Sequence, residues 1–270
     1  MSFMNESNQE KRLSFLLEAF KAERDEYKDI CISGDIEEKR RILRSFMNVR
    51  LPLPMSKKIL KIQDEYLLCR ANEKGIVSLS DIPVTNGIIS IWQGDITRLC
   101  VDAIVNAANS QMLGCFVPMH GCIDNVIHSF SGVQLRAECN CKMNEMRALY
   151  GNDYEQPTGV PMLTDAYNLP SKKVIHVVGP IVRSALTPKI EKELSDCYIN
   201  TLNLCAKNNL KSIAFCCIST GVFCFPPRRA AEIAVKSVTE WIKEHEGAME
   251  RVIFNVFKDE DKKHYEDIIR

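Results

Sequence analysis

Apolar residues in the first quarter of the chain recur at intervals of three and four, a spacing that predicts helices. One helix is predicted over residues 8–28, a second ends before Pro52, and a third ends at Gly75. Acidic and basic side chains alternate over all three segments. We therefore predict a small helical N-terminal extension over residues 1–75, whose charges form a solvated surface and carry no chemistry.

The rest of the chain alternates between short apolar runs and helical patterns. Strands are predicted at residues 77–79, 88–92, 103–107, 160–164, 174–178, 212–217 and 251–257. Helices are predicted at residues 121–150, 188–208 and 227–246 and at the C-terminus. Apolar strands that alternate with helices predict an α/β sandwich with helices on both faces of the sheet. Ligands of such sheets bind at the carboxyl ends of the strands, which makes the loops 94–99, 107–124 and 219–226 candidates for a site.

Composition excludes several classes of function. The 270 residues carry 35 basic and 35 acidic side chains, whereas nucleic-acid-binding proteins depend on an excess of Lys and Arg. No apolar run is long enough to span a membrane, and the first residues, MSFMNESNQEKRLSF, do not resemble a signal peptide. We expect a cytoplasmic protein that binds neither nucleic acid nor membranes. Its 12 cysteines are then expected as thiols, core residues or metal ligands.

The loop after the predicted strand 88–92 reads Gly94-Asp95-Ile96-Thr97. Asp95 or Thr97 can cap a helix there, which is a common role for these residue types. A buried carboxylate at a strand end can also accept from the amino group of a purine, with the N–H of Ile96 donating to a ring nitrogen. The sequence leaves both interpretations open.

Two further loops carry small and amide residues. The next strand ends in Val-Asn-Ala-Ala-Asn109, where Asn106 is expected to satisfy local backbone groups. The amide of Asn109 both donates and accepts, which suits a sugar diol. In the loop Ser219–Pro226, small residues and backbone N–H groups can hold a diphosphate. Phe223 and Phe225 either contact a sugar or base or anchor this loop to the core.

Cys115, His120 and Cys122 offer two thiolates and an imidazole within eight residues. These ligands suit Zn²⁺, and three of them leave one coordination position open, as in catalytic sites. The spacing C-x4-H-x-C is not that of a structural zinc finger. An ordinary loop with buried thiols explains the local sequence equally well.

Other histidines and cysteines are less suited to bind the metal ion. His128 lies further along the predicted helix and is expected to be a packed residue beneath the site. Cys139 and Cys141 form a C-x-C pair with no histidine close in sequence, so we interpret them as incidental.

The segments GDIT, VNAAN and ISTGVF, in this order and at these distances, resemble the macrodomain family, which binds ADP-ribose. The resemblance covers residues 76–270 and implies a three-layer α/β/α sandwich with a mixed sheet of six or seven strands. It also implies that Asp95 and Ile96 hold the adenine and that Asn109 contacts the distal ribose. The rest of the implied ADP-ribose site comprises Cys122, Ile123, Asp124, Ser219, Thr220, Gly221, Val222, Phe223 and Cys224.

Most macrodomains have a run of glycines where this chain carries Cys115 and His120, just before Cys122. The altered loop resembles that of the zinc-containing macrodomain subfamily, which is associated with a lipoylation-linked sirtuin of microbial pathogens. This implies a Zn²⁺ cofactor held by these three residues. It also implies a glycosidase-type hydrolase in which Asp124 is the general base or orients the ribose, and Asn109 fixes the ribose.

The expected substrate is a protein that carries mono-ADP-ribose on an aspartate or glutamate, with a lipoyl-carrier protein as the candidate. Zinc is expected to orient and polarise an oxygen at the distal ribose. The alternative is a non-catalytic module that binds ADP-ribose on partner proteins and uses zinc only to order the loop.

Overall fold

The computed structural model describes residues 6–32 and 34–269, so the first five residues of the predicted extension lie outside it. The chain begins with helices α1 (Glu6–Lys21), α2 (Ile36–Val49) and α3 (Lys57–Lys74). The first helix is shorter than predicted, because it ends at Lys21 and a separate 3₁₀ turn follows at Asp25–Tyr27. Side-chain caps start the other two helices: Asp35 accepts from the N–H of Glu38, and Ser56 from that of Ile59.

The three helices share a small core of their own. Leu16, Phe20 and Leu43 are almost fully buried within it, and Val133 from a later helix completes it. The apolar residues that recur at helical spacing are the ones that face this core. The division into an extension of residues 1–75 and a macrodomain of residues 76–270 stays a prediction.

Eight strands follow: β1 (Val77–Ser78), β2 (Ile89–Gln93), β3 (Leu99–Cys100), β4 (Ala103–Ala108), β5 (Met162–Asp165), β6 (Lys173–Val178), β7 (Ser212–Phe215) and β8 (Arg251–Val256). Six of them form one sheet in the order β2-β8-β7-β4-β6-β5, in which β5 is antiparallel and every other pairing is parallel. The unpredicted strand β3 pairs with β1 in a separate two-stranded sheet. The predicted mixed sheet is confirmed.

Five helices lie in the second part of the chain: α4 (Ile123–Ser131), α5 (Val133–Tyr150), α6 (Pro188–Lys207), α7 (Pro227–Glu244) and α8 (Asp259–Ile269). The single helix predicted over residues 121–150 is wrong, because Gly132 divides it into α4 and α5. Gly132 has a φ of +102°, and a Cβ there would lie 2.7 Å from Nε2 of Gln63. The positive φ therefore favours glycine at this position, because residues with a Cβ rarely adopt it.

The main core lies between the sheet and its helices. Val105, Ile175, Ile213 and Ile253, on four neighbouring strands, are all 0% exposed, as expected for parallel strands covered on both faces. Helices flank the sheet, which confirms the predicted α/β/α sandwich. Because β2, β4 and β7 run in the same direction, the three candidate loops that follow them lie at one edge of the sheet.

Candidate functional site

The three predicted metal ligands come together in the loop between β4 and α4. Their donor atoms all lie within 4.8 Å of one another, and each residue is half-buried. Sγ of Cys115 lies 3.4 Å from Nδ1 of His120. Tetrahedral zinc with ordinary Zn–S and Zn–N bonds separates its ligand atoms by about 3.6–3.8 Å. The residues present therefore fit a zinc ion, with room for a fourth ligand.

The protonation state of Cys122 depends on whether a metal ion is bound. Its pKa is raised to about 11, chiefly by burial, which outweighs the hydrogen bond that its sulfur accepts from the N–H of Asn125. The neighbouring Cys115 and Asp124 raise it further. A bound metal ion reverses this balance and deprotonates a coordinating thiol. Cys122 is also the residue that caps α4, which fixes its place relative to the helix.

Asp124 lies in the first turn of α4 and is 5% exposed. Its two oxygens accept from two amides: Oδ1 from Asn106 at 2.7 Å and Oδ2 from Asn109 at 3.3 Å. Burial raises its pKa to about 6, although the hydrogen bond from Asn106 and the positive charge of Arg136 act to lower it. The predicted pair of Asn109 and Asp124 is thus brought into contact.

Asn106 has a different role from the one that the sequence suggested. Its amide does not satisfy local backbone groups but bridges Asp124 and His176, whose Nδ1 lies 3.0 Å away. His176 is 0% exposed, and burial lowers its pKa to about 3, so the ring is neutral. Its Nε2 lies 3.0 Å from Oγ1 of Thr164. The sequence did contain a sign of this contact, because Asn106 and His176 are polar residues inside otherwise apolar strands.

A second group of possible metal ligands, formed by His128, Cys139 and His176, lies deeper. All three residues are buried, and both ring nitrogens of His176 already have partners. Sγ of Cys139 lies 3.7 Å from Nε2 of His176, so a histidine is near Cys139 in space although not in sequence. His128 is packed beneath the site as predicted, whereas Cys141 is exposed.

Asp95 caps the short 3₁₀ turn Ile96–Arg98, since Oδ1 accepts from the N–H and hydroxyl of Thr97 at 3.0 and 2.6 Å. Its Oδ2 also accepts from Nζ of Lys74, on α3, at 2.6 Å. Burial raises the pKa of Asp95, but Lys74 and Thr97 outweigh it, and the net shift is downward. Ile96 is buried. The predicted solvated surface of the extension therefore does not include Lys74, which is partly buried and paired with a predicted site residue.

Arg44, on α2, lies near both parts of the predicted site. Burial lowers the pKa of its guanidinium, although Asp95 and Cys122 act electrostatically to raise it. A positive charge from the extension therefore lies within reach of the predicted adenine carboxylate and of one predicted metal ligand.

The loop between β7 and α7 presents an uneven surface. Ser219 and Phe225 are buried, whereas Val222 and Cys224 are exposed. Phe225 therefore anchors the loop to the core, and Phe223 packs partly against that core. Within residues 6–32 and 34–269, no hydrogen bond is made by the backbone N–H groups of Gly221, Val222 and Phe223. Successive free N–H groups of this kind can bind an anion.

Comparison with known proteins agrees with this architecture. Residues 105–234 match the family model described as Macro domain. A protein-ADP-ribose hydrolase of Treponema medium is 48% identical over 265 residues, which cover 97% of this chain and 99% of the relative. A protein-ADP-ribose hydrolase of Staphylococcus aureus strain MRSA252 is 41% identical and covers 95% and 94% of the two chains. The chain belongs to the macrodomain family.

Solved structures support the same assignment. The crystal structure of a Trypanosoma brucei macrodomain in complex with ADP-ribose has a TM-score of 0.64 and 29% identity. It covers 84% of this chain, and the match covers 95% of that macrodomain. In the part of the chain that the structure describes, no helix is long and apolar enough to cross a membrane.

Proposed function

We propose that the protein is a zinc-dependent hydrolase that removes mono-ADP-ribose from modified proteins. The observation that carries the proposal is the position of Asp124, a buried carboxylate held by two amides and two residues from a predicted metal ligand, Cys122. The names of the relatives from Treponema medium and Staphylococcus aureus support it, because those alignments span nearly the whole chain.

ADP-ribose would extend along the carboxyl edge of the sheet. We assign the adenine to Asp95 and Ile96, and the distal ribose to Asn109, Cys122, Ile123 and Asp124. The diphosphate is assigned to the loop Ser219–Cys224, where three free N–H groups and several small side chains favour an anion. An anion there needs no basic side chain, which is consistent with the balanced charge of the chain.

Cys115, His120 and Cys122 would hold the zinc, whose charge two thiolates balance. When bound, the ion supplies Lewis-acid polarisation of an oxygen at the distal ribose. The half-buried position of the three residues gives that oxygen access from solvent. The ion would thereby hold the distal ribose next to Asp124.

Asp124 would accept the proton of the attacking water. Its pKa of about 6 leaves it mostly ionised near neutral pH, yet basic enough to take a proton. The water oxygen bonds to C1″ of the distal ribose, and the bond from C1″ to the protein's carboxylate oxygen breaks. That carboxylate leaves with the bonding electrons, so no second acid is required. Asn106 and Asn109 hold Asp124 in place during the transfer.

We infer that the bond cleaved joins ADP-ribose to an aspartate or glutamate, because the site offers one proton acceptor and no obvious acid for a poorer leaving group. A lipoyl-carrier protein is the candidate substrate. The test compares release of ADP-ribose from carboxylate-linked and arginine-linked proteins, with and without a chelator. Release from the carboxylate-linked protein alone, abolished by the chelator, supports the proposal. Tight binding without release from either protein favours a non-catalytic reader.

A further inference from the structure

Helix α2 of the extension contacts the metal-ligand loop on both sides of His120. The backbone N–H of Met119 donates to Oδ1 of Asn48 at 3.0 Å. One turn earlier, Nη2 of Arg44 lies 3.4 Å from the carbonyl oxygen of His120. Asn48 is 1% exposed, so its hydrogen bond is shielded from water. The backbone that carries His120 is thus held by two side chains of the extension.

The same two side chains also bind helix α4. Asn48 donates from Nδ2 to Oγ of Ser129 at 2.7 Å, and Arg44 donates from Nη2 to Oδ1 of Asn125 at 2.7 Å. The N–H of Asn125 in turn donates to Sγ of Cys122 at 3.4 Å. One hydrogen-bond network therefore joins α2 to two of the three predicted ligands.

The loop has little internal structure to replace these contacts. Between Gly114 and Cys122 it forms only turns and bends, and Met119 has a φ of +56°, a left-handed conformation that is unfavourable for a residue with a side chain. Conformations of this kind persist where the surroundings impose them. Here the surroundings include α2.

We propose that Asn48 and Arg44 are positioning residues, through which the N-terminal extension orients His120 and Cys122 toward a common metal ion. The inference rests on the proposed zinc site. Residues that orient metal ligands through hydrogen bonds typically change metal affinity by about 10- to 100-fold when they are replaced. The extension is then part of the metal site.

The test measures zinc affinity of the full-length protein by competition with a chromogenic chelator. Asn48→Ala is expected to weaken binding by about 10- to 100-fold. The control is Asn200→Ala, on α6, which removes a hydrogen bond that an asparagine makes far from the metal ligands, from Nδ2 to the backbone carbonyl of Gly159. It is expected to bind zinc as the parent does.

A second readout is the absorption of the Co²⁺-substituted protein, which reports ligand geometry independently of hydrolysis. We expect its bands to shift in Asn48→Ala and to remain unchanged in Asn200→Ala. Should Asn48→Ala fail to fold in the absence of metal, as judged by circular dichroism, Arg44→Ala makes the same comparison.

Equal zinc affinity and equal Co²⁺ spectra in parent, Asn48→Ala and Arg44→Ala would overturn the positioning role and leave the metal site intact. A parent protein that binds no zinc would overturn the positioning role together with the proposed zinc site. Weaker zinc binding in both Asn48→Ala and Arg44→Ala, with normal binding in Asn200→Ala, supports it.

Discussion

Asn106 donates a hydrogen bond of 2.7 Å from its side-chain amide to Oδ1 of the buried Asp124. The two residues lie on β4 and α4, and the bond compensates a carboxylate whose pKa burial has raised. Asn106→Ala is expected to lower the free energy of unfolding by about 1–3 kcal/mol, the usual effect of leaving a buried acceptor without its partner. Urea denaturation of metal-free protein measures this difference.

The control for that experiment is Asn72→Ala, which removes an exposed hydrogen bond on α3. Its free energy of unfolding should change by less than about 0.5 kcal/mol. If Asn106→Ala unfolds at the same urea concentration as this control, the bond to Asp124 does not stabilise the fold.

The proposed metal site predicts the zinc content of the purified protein. Protein purified without added metal should contain about one Zn²⁺ per chain, as expected for one three-ligand site. Replacing Cys115, His120 and Cys122 together by alanine should remove it, whereas Cys141→Ala, at an exposed cysteine, should not. Elemental analysis distinguishes these cases, and full zinc in the triple variant would refute the ligand assignment.

Asp95→Ala is expected to weaken binding of free ADP-ribose by about 10- to 150-fold, which corresponds to loss of about 1.5–3 kcal/mol from a hydrogen bond to a charged group. Asp165→Ala, which removes an exposed carboxylate paired with Lys173, should leave affinity unchanged. Calorimetry at a temperature where all variants are folded measures both. Unchanged affinity in Asp95→Ala would mean that the residue acts only as a helix cap and as the partner of Lys74.

The burial of His176 should make the free energy of unfolding depend on pH. Its pKa is about 3 in the fold, because of burial, and about 6.5 in the unfolded chain. Between these values the unfolded chain binds a proton that the fold does not, so stability falls as pH falls. His176→Gln should lessen that fall by about 2 kcal/mol in total between pH 7 and pH 5, because the unfolded imidazole becomes fully protonated only toward the lower end of this range. The test compares metal-free parent and variant from pH 7 to pH 5, and parallel curves would contradict the prediction.

The six strands of the main sheet and the three loops at its edge could be predicted from sequence, because parallel strands buried on both faces are continuous apolar runs bounded by turn residues. The contact of Asn106 with His176 could not. The two residues are register partners on β4 and β6, which are neighbours in the sheet but separated along the chain by α4, α5 and β5. Local patterns contain no information on strand order of this kind.

The role of the extension was missed for a similar reason. Arg44 and Asn125 are 81 residues apart, and Lys74 and Asp95 are 21 apart. In the sequence, Arg44 and Lys74 look like ordinary charged positions on amphipathic helices. Only the packing of α2 and α3 near the site brings them into partly buried contact with Asn125 and Asp95.

The measurement that tests the account most directly compares binding and turnover in Asp124→Ala. Interactions that matter only in the transition state appear in the rate and not in ground-state affinity. Asp124→Ala should therefore bind ADP-ribose within about tenfold of the parent, or about 1.4 kcal/mol. Its release of ADP-ribose from a carboxylate-linked protein should fall by far more. Equal losses of binding and turnover, or a parent that releases none, would contradict the assignment of Asp124 as the proton acceptor of a hydrolase.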